Sequence, residues 1–138
     1  MRIWTGLIWA LLAGSAGCAS SIDSVVQLPG TVALKVGGGA QIAGSSWTVK
    51  FDSVSSDSRC PLGVFCIQAG AAVLVLELVN PLVDPAPGSD LHFQLGATPV
   101  LKYGFRFTQV ELWPIRRQND VIDPKRYLAK IMIEAVTP

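Results

Sequence analysis

Residues 57–70 constrain the fold more than any other part of this 138-residue chain. They include Cys60 and Cys66, which five residues separate, and they lie between two long strand-like runs. Pro61 and Gly63 favour a turn between the cysteines, and such a turn brings the two Cβ atoms within disulfide range. A disulfide is the simplest interpretation, and closing so short a loop stabilises a fold by about 2 kcal/mol in the chain-entropy model.

Two other states of the cysteine pair stay open on the sequence alone. The cysteines can be reduced side chains of the core, or they can bind a metal. A structural zinc site needs about four Cys or His ligands, and outside this pair the chain offers only Cys18 and His92. We therefore expect no metal site and no cofactor.

The same segment resembles the pattern of a known family. The run Asp57-Ser58-Arg59-Cys60-Pro61, then Cys66, then Ala69-Gly70 before an apolar strand, resembles a largely uncharacterised family of small bacterial secreted proteins and lipoproteins. The similarity is close over residues 45–79 and general in the later strands, and Gln68 stands where many members carry Trp. The resemblance implies a β-sandwich with a disulfide, and it implies no activity.

The N-terminal segment has the pattern of a secretory signal peptide. Arg2 precedes an apolar stretch, residues 3–13, that is too short to span a bilayer. The run Ser15-Ala16-Gly17-Cys18 resembles the bacterial lipobox, in which the cysteine is acylated and becomes the first mature residue, although Ser15 stands where Leu is usual. Lipidation also accounts for the one cysteine left over when the other two pair in an oxidising compartment. Ordinary cleavage near Cys18 or Ala19 is the alternative.

These features predict three segments. They are a lipoprotein signal peptide at residues 1–17, a lipidated Cys18 with a short tether at residues 18–26, and a single domain at residues 27–138. An acylated Cys18 holds a protein on a membrane without crossing it. We therefore expect a protein of the cell envelope. If the organism has an outer membrane, we expect the protein on its periplasmic face, because residue 19 is Ala and not the Asp that signals inner-membrane retention.

Alternation of apolar and polar side chains predicts β-strands through most of the mature chain. The predicted strands cover residues 31–36, 47–54, 71–79, 91–95, 105–113 and 127–136. No segment after the signal peptide has a helical period. About seven strands at this spacing predict an all-β fold, an antiparallel β-sandwich of immunoglobulin-like type with one short-loop disulfide.

Several local patterns make narrower predictions. The glycines at 37–39 predict a turn, and a shift in apolar phase predicts a β-bulge near Thr108 and Gln109. The strand at 71–79 is apolar on both faces, so we expect the Pro-rich connection at 80–90, or a partner, to cover its second face. The charged residues at 115–126 predict a solvated hairpin loop.

The composition argues against an enzyme and against nucleic-acid binding. His92 is the only histidine, and the HExxH, GxSxG and phosphate-loop motifs are all absent from the sequence. Asp120 and Asp123 are too few for a calcium site. The chain without residues 1–17 carries ten basic and ten acidic residues, whereas nucleic-acid binding needs a basic excess.

We therefore expect a non-catalytic envelope lipoprotein that binds a protein or ligand partner. The candidate contacts are Leu62, Val64 and Phe65, because a disulfide-fixed loop loses little entropy on binding. The structural alternative is that Val64 or Phe65 folds inward and closes the end of the sandwich. Two other functions stay open: inhibition of an exported hydrolase by insertion of the Cys60–Cys66 loop, and an architectural role in the envelope.

Overall fold

The computed structural model describes residues 22–83 and 91–137, and its regular structure is almost entirely β-strand. This part of the chain contains nine strands and no α-helix, so it is all-β as predicted, with more strands than the seven or so expected. The strands are β1 (Ile22–Val26), β2 (Gly30–Lys35), β3 (Gly39–Ile42), β4 (Thr48–Asp57), β5 (Ala72–Val79), β6 (His92–Leu95), β7 (Val100–Lys102), β8 (Phe105–Trp113) and β9 (Leu128–Ala135). One turn of 3₁₀ helix occupies Pro124–Arg126.

The strands form two sheets. Sheet A has the order β1-β3-β4-β5-β6, and sheet B has the order β2-β9-β8-β7. Neighbouring strands are antiparallel except for β1, which runs parallel to β3. The chain therefore changes sheets between β1 and β2, and its last strand lies inside sheet B rather than at an edge.

One hydrophobic core draws side chains from both sheets. The alternating pattern of β5 and β9 places every second side chain in this core, as predicted. Phe93 of sheet A and Phe107 of sheet B meet there with ring centroids 5.0 Å apart. The largest fully buried side chains are Phe51, Phe107, Leu34, Ile42, Leu74, Leu76, Leu78, Leu95, Ile131, Ile133 and Val49.

The bulge predicted in β8 is present, displaced by about one residue. The register of β8 against β9 shifts between Gln109 and Glu111, so Val110 has no opposite residue. Val110 and Leu112 are the apolar residues that follow the predicted shift in apolar phase, but only Leu112 is buried. The extra residue at the bulge turns Val110 outward and restores the inward phase two residues later.

Three short strands were not predicted. The glycine run at 37–39 contains the expected turn at Gly37, where φ is +83°, but Gly39 already begins β3. β7 has only three residues, and β1 lies within the segment 18–26 that the sequence assigned to a tether. Cys18 and the predicted signal peptide lie outside the described residues.

The outer face of β5 is partly covered. Val73, Val75 and Val79 are half-buried, as is Glu77 between them. Residues 84–90 of the Pro-rich connection, which we expected to cover this face, lie outside the described residues.

The sheets are joined differently at their two ends. At one end, here called the staple end, β4 leads into β5 through residues 58–71, the staple loop, and β8 leads into β9 through residues 114–127, the basic loop. At the opposite end, Trp47 before β4 stacks on Tyr103 before β8 with ring centroids 4.7 Å apart. An aromatic contact thus links the sheets at one end, and polar contacts described below link them at the other.

Truncation of a core leucine should separate core packing from surface packing. We expect Leu76→Ala to lower the free energy of unfolding by about 2–5 kcal/mol, because Leu76 is fully buried and the substitution leaves a cavity. The matched control is Leu101→Ala on the exposed face of β7, which should change stability by less than about 0.5 kcal/mol. Urea denaturation followed by tryptophan fluorescence measures both, and equal losses would contradict the described core.

Candidate functional site

The staple loop is fixed at its tip and at its base. Cys60 and Cys66 form the predicted disulfide, with their Cα atoms 6.0 Å apart. Between them Gly63 adopts a positive φ of +83°, in a turn where the Val64 amide donates to the Pro61 carbonyl at 3.2 Å. The loop therefore presents its side chains from a constrained backbone.

Backbone contacts close the base of the loop. The Ser58 amide donates to the Ala71 carbonyl at 2.9 Å, and the Ala71 amide donates to the Ser58 hydroxyl at 3.1 Å. Gly70 packs directly on this pair, and a Cβ added at Gly70 would overlap the carbonyl oxygen of Ser58. The Ala-Gly of the sequence pattern is therefore explained by close backbone approach.

Three side chains, here called the clamp, tie the two sheets together beneath the loop. They are Asp57, Arg59 and Tyr127. Asp57 at the end of β4 accepts from Arg59 through both oxygens, at 2.8 Å from Nε and 2.7 Å from Nη2. Arg59 also donates to the carbonyls of Leu112 and Pro114 at the end of β8, and the Tyr127 hydroxyl donates to Asp57 at 3.0 Å. The clamp therefore connects sheet A to sheet B.

The basic loop is held against the staple loop by backbone and side-chain contacts. Arg116 donates to the carbonyls of Asp57 and Arg59, at 3.1 and 3.3 Å, and its own carbonyl accepts from the Leu62 amide at 2.8 Å. The expectation of a solvated hairpin loop is thus wrong for Arg116, which is half-buried. It is right for Arg117, which is exposed.

The clamp is shielded from water, and this shifts the pKa values of its groups. The side chains of Asp57 and Arg59 are only 9% and 21% exposed. Hydrogen bonds from the Arg59 guanidinium hold the pKa of Asp57 below its ordinary value. Burial, and then donation to the Asp57 carboxylate, raise the pKa of Tyr127. The charged pair and the neutral phenol are therefore the favoured forms in the folded state.

The predicted contact residues fall into two groups. Phe65 is 95% exposed and Leu62 is 61% exposed, so neither folds inward to close the end of the domain. Val64 is half-buried, so the structural alternative holds only for this residue, and only in part. Sequence reasoning missed Ile67, which is 98% exposed and follows Cys66 as Phe65 precedes it.

Large exposed apolar side chains are concentrated at the staple end. Scattered exposed hydrophobic residues need no explanation, but a group on two adjacent loops does. Of the twelve in the described residues, six belong to the staple loop, the basic loop or the last residue of β8. They are Leu62, Phe65, Ile67, Trp113, Ile115 and Val121.

A basic groove lies at the same end. It is open, has a volume of about 420 Å³, and runs between the end of β2 and the basic loop. Lys35, Lys125 and Arg126 line it together with Trp113 and Tyr127. The groove brings three cations and an exposed indole to one place, an arrangement that suits an anionic group beside an apolar one.

The remaining candidate residues do not converge on a site. His92 is exposed on β6. In residues 22–83 and 91–137, no three His, Cys, Asp or Glu side chains are grouped to hold a metal ion. The same residues contain no helix of the length and hydrophobicity that crossing a membrane requires.

Comparisons with protein-family models, curated proteins and solved structures find no match to this chain. The geometry of the staple end is therefore the feature from which a function can be proposed.

The clamp predicts loss of stability at both extremes of pH. The Asp57 pKa is lowered in the folded state, so its contribution is complete above the unfolded value of about 3.9 and is lost as the pH falls through the lower folded value. The Tyr127 pKa is raised, so its contribution is complete below about 10 and is lost as the pH rises through the folded value. Asp57→Asn should remove the acid loss, and Tyr127→Phe the alkaline loss.

At neutral pH, Asp57→Asn should lower the free energy of unfolding by about 1–3 kcal/mol, because Arg59 loses its carboxylate but stays largely buried. Urea denaturation at a series of pH values measures this effect and also the losses of stability at acid and at alkaline pH. The control is Glu134→Gln, which removes a looser surface pair with Arg106 at 3.8 Å and should cost less than about 1 kcal/mol. If the free energy of unfolding falls equally with acid pH in wild type and in Asp57→Asn, the role of the clamp is contradicted.

Gly70 provides a separate test of the loop base. We expect Gly70→Ala to destabilise the fold strongly, because its Cβ and the Ser58 carbonyl cannot occupy the same space. Gly96→Ala is the matched control, because the nearest atom to a Cβ there is a Val73 methyl at 3.9 Å, an ordinary contact. The melting temperatures of the two variants test this expectation, and similar values would refute the packing described at Gly70.

Proposed function

We propose that this chain is an exported, lipid-anchored protein of the bacterial cell envelope that acts by binding and not by catalysis. The apolar N-terminal segment and the lipobox-like run ending in Cys18 support export and anchoring. The single core shared by sheets A and B, with Phe93 against Phe107, supports an immunoglobulin-like β-sandwich as the scaffold.

The observation that carries the binding function is the exposure of Phe65 and Ile67 on a constrained loop. No packing within the described residues explains either side chain, since both are more than nine-tenths exposed. The disulfide, the turn at Gly63 and the closed base hold the loop before any partner arrives. Binding through Leu62, Phe65 and Ile67 would bury apolar area at little entropic cost.

The guanidinium groups of the staple end make contacts within the domain, and this supports a structural role for them. The Arg59 donors are directed to the Asp57 carboxylate and to two backbone carbonyls. Arg116 is directed to two further carbonyls. These groups position the loops, and the exposed apolar side chains are left to make the contact.

The lipid anchor is tested by metabolic labelling. Bacteria that express the full chain and are fed an alkyne analogue of palmitate should label it, and Cys18→Ala should abolish the label because the acylated thiol is gone. Ser20→Ala is the control and should label like wild type. A label that persists on Cys18→Ala would contradict the proposed anchor.

The contact surface is tested by separating stability from binding. Phe65→Ser combined with Ile67→Ser should leave the free energy of unfolding within about 0.5 kcal/mol of wild type, because both side chains are exposed. The same double variant should strongly reduce in-cell photo-crosslinking from a probe at Leu62. A probe at Leu82, an exposed apolar residue at the opposite end, is the control. Equal yields from the two probes in wild type would refute the contact surface.

A further inference from the structure

We infer that the partner of the staple end is the lipid bilayer itself. Leu62, Phe65 and Ile67 enter the boundary between head groups and acyl chains, and the basic groove binds lipid phosphates. This inference rests on the proposed function, because it uses both the acylated Cys18 and the contact surface. The proposed function names the contact surface but not its partner, and this inference names the chemical class of that partner.

The direction of β1 is the first argument. Ile22 pairs with Gly39, and Val26 pairs with Ile42. Gly39 follows the turn after β2, where the Val36 amide donates to the carbonyl of the clamp residue Tyr127 at 3.2 Å, at the staple end of sheet B. In sheet A, Gly39 pairs with Lys50, seven residues before Asp57. The chain therefore runs away from the staple end along β1, and Ile22 is the residue of β1 nearest to that end.

The length of chain before β1 is the second argument. Three residues, 19–21, lie between Cys18 and β1, and the four peptide units from Cys18 to Ile22 span at most about 14 Å. Cys18 is thus held within about 14 Å of Ile22, which is the end of β1 nearer to the staple end.

The apolar chemistry of the staple end matches a lipid interface. Phe65 and Ile67 extend from the tip of the loop, and Val121 is 97% exposed on the neighbouring basic loop. Trp113 is half-exposed beside the groove, where an indole can remain at head-group depth. Protein segments that lie in the membrane interface combine cationic side chains with Trp, Phe and Leu side chains that enter the acyl boundary.

The charges of the staple end match lipid phosphates. Lys35, Lys125 and Arg126 line the groove, and each cation near an anionic surface adds attraction within a Debye length. Asp120 and Asp123 are exposed on the same loop, but the Asp123 carboxylate accepts from the Lys125 amide at 3.0 Å and caps the 3₁₀ turn. The mature chain is neutral, so this local charge orients the domain rather than drawing the whole protein to the surface.

Site-specific photo-crosslinking in vesicles tests the inference. The lipidated full chain is reconstituted in vesicles of phosphatidylethanolamine and phosphatidylglycerol, with a diazirine amino acid at Phe65 or, as the matched control, at Leu82. Mass spectrometry should find about tenfold more lipid adduct at Phe65, the ratio expected when one large apolar side chain gains a lipid environment. Equal lipid labelling at the two positions would overturn the inference.

The groove is tested in the same assay. Replacing phosphatidylglycerol with phosphatidylcholine should lower the lipid adduct at Phe65 several-fold, because the groove loses its anionic partner. The variant Lys125→Gln with Arg126→Gln should show little dependence on lipid charge. Wild-type labelling that is indifferent to lipid charge would overturn the phosphate contact.

Crosslinking in cells separates the inference from the proposed function. Lipid adducts at Phe65 support both. A single protein adduct at Phe65, without lipid adducts, would overturn the bilayer as partner and leave the binding function standing. No adduct above the Leu82 level, in cells and in vesicles alike, would overturn both.

Discussion

The guanidinium of Arg59 holds the two sheets together at the point where the chain leaves both of them. Its Nε and Nη2 form a planar fork that donates to the two oxygens of Asp57, and its Nη1 and Nη2 donate to the carbonyls of Leu112 and Pro114 at the end of β8. A lysine offers no such fork. The placement of the staple loop against the basic loop depends on this group together with Arg116, whose side chain and carbonyl also join the two loops.

Much of the fold was predictable because a strand with one buried face is visible in sequence. Alternation identified the strands that became β2, β4, β5, β6, β8 and β9, and burial in β5 and β9 alternates along the strand. β3 was missed because it begins with glycine and is only four residues long, and β7 has three residues. A pattern of period two needs more positions than these strands supply.

The candidate site was predictable only where its chemistry is local. The disulfide followed from a short spacing and two turn residues, and Leu62 and Phe65 are exposed as a contact loop requires. The clamp was not predictable, because Asp57 meets Tyr127 seventy positions later in the chain and no local pattern announces that contact. Ile67 had a local signal, since it flanks Cys66 symmetrically with Phe65, and that symmetry was overlooked.

The position of β9 has a consequence for how the protein can be made. β9 lies between β2 and β8, so Gly30 pairs with Ile133 and the two halves of sheet B are not joined until β9 has been made. Contacts between such distant residues slow folding, because a long loop must close before they form. The chain therefore cannot complete sheet B until β9 has been synthesised, and until then the facing edges of β2 and β8 have no strand between them.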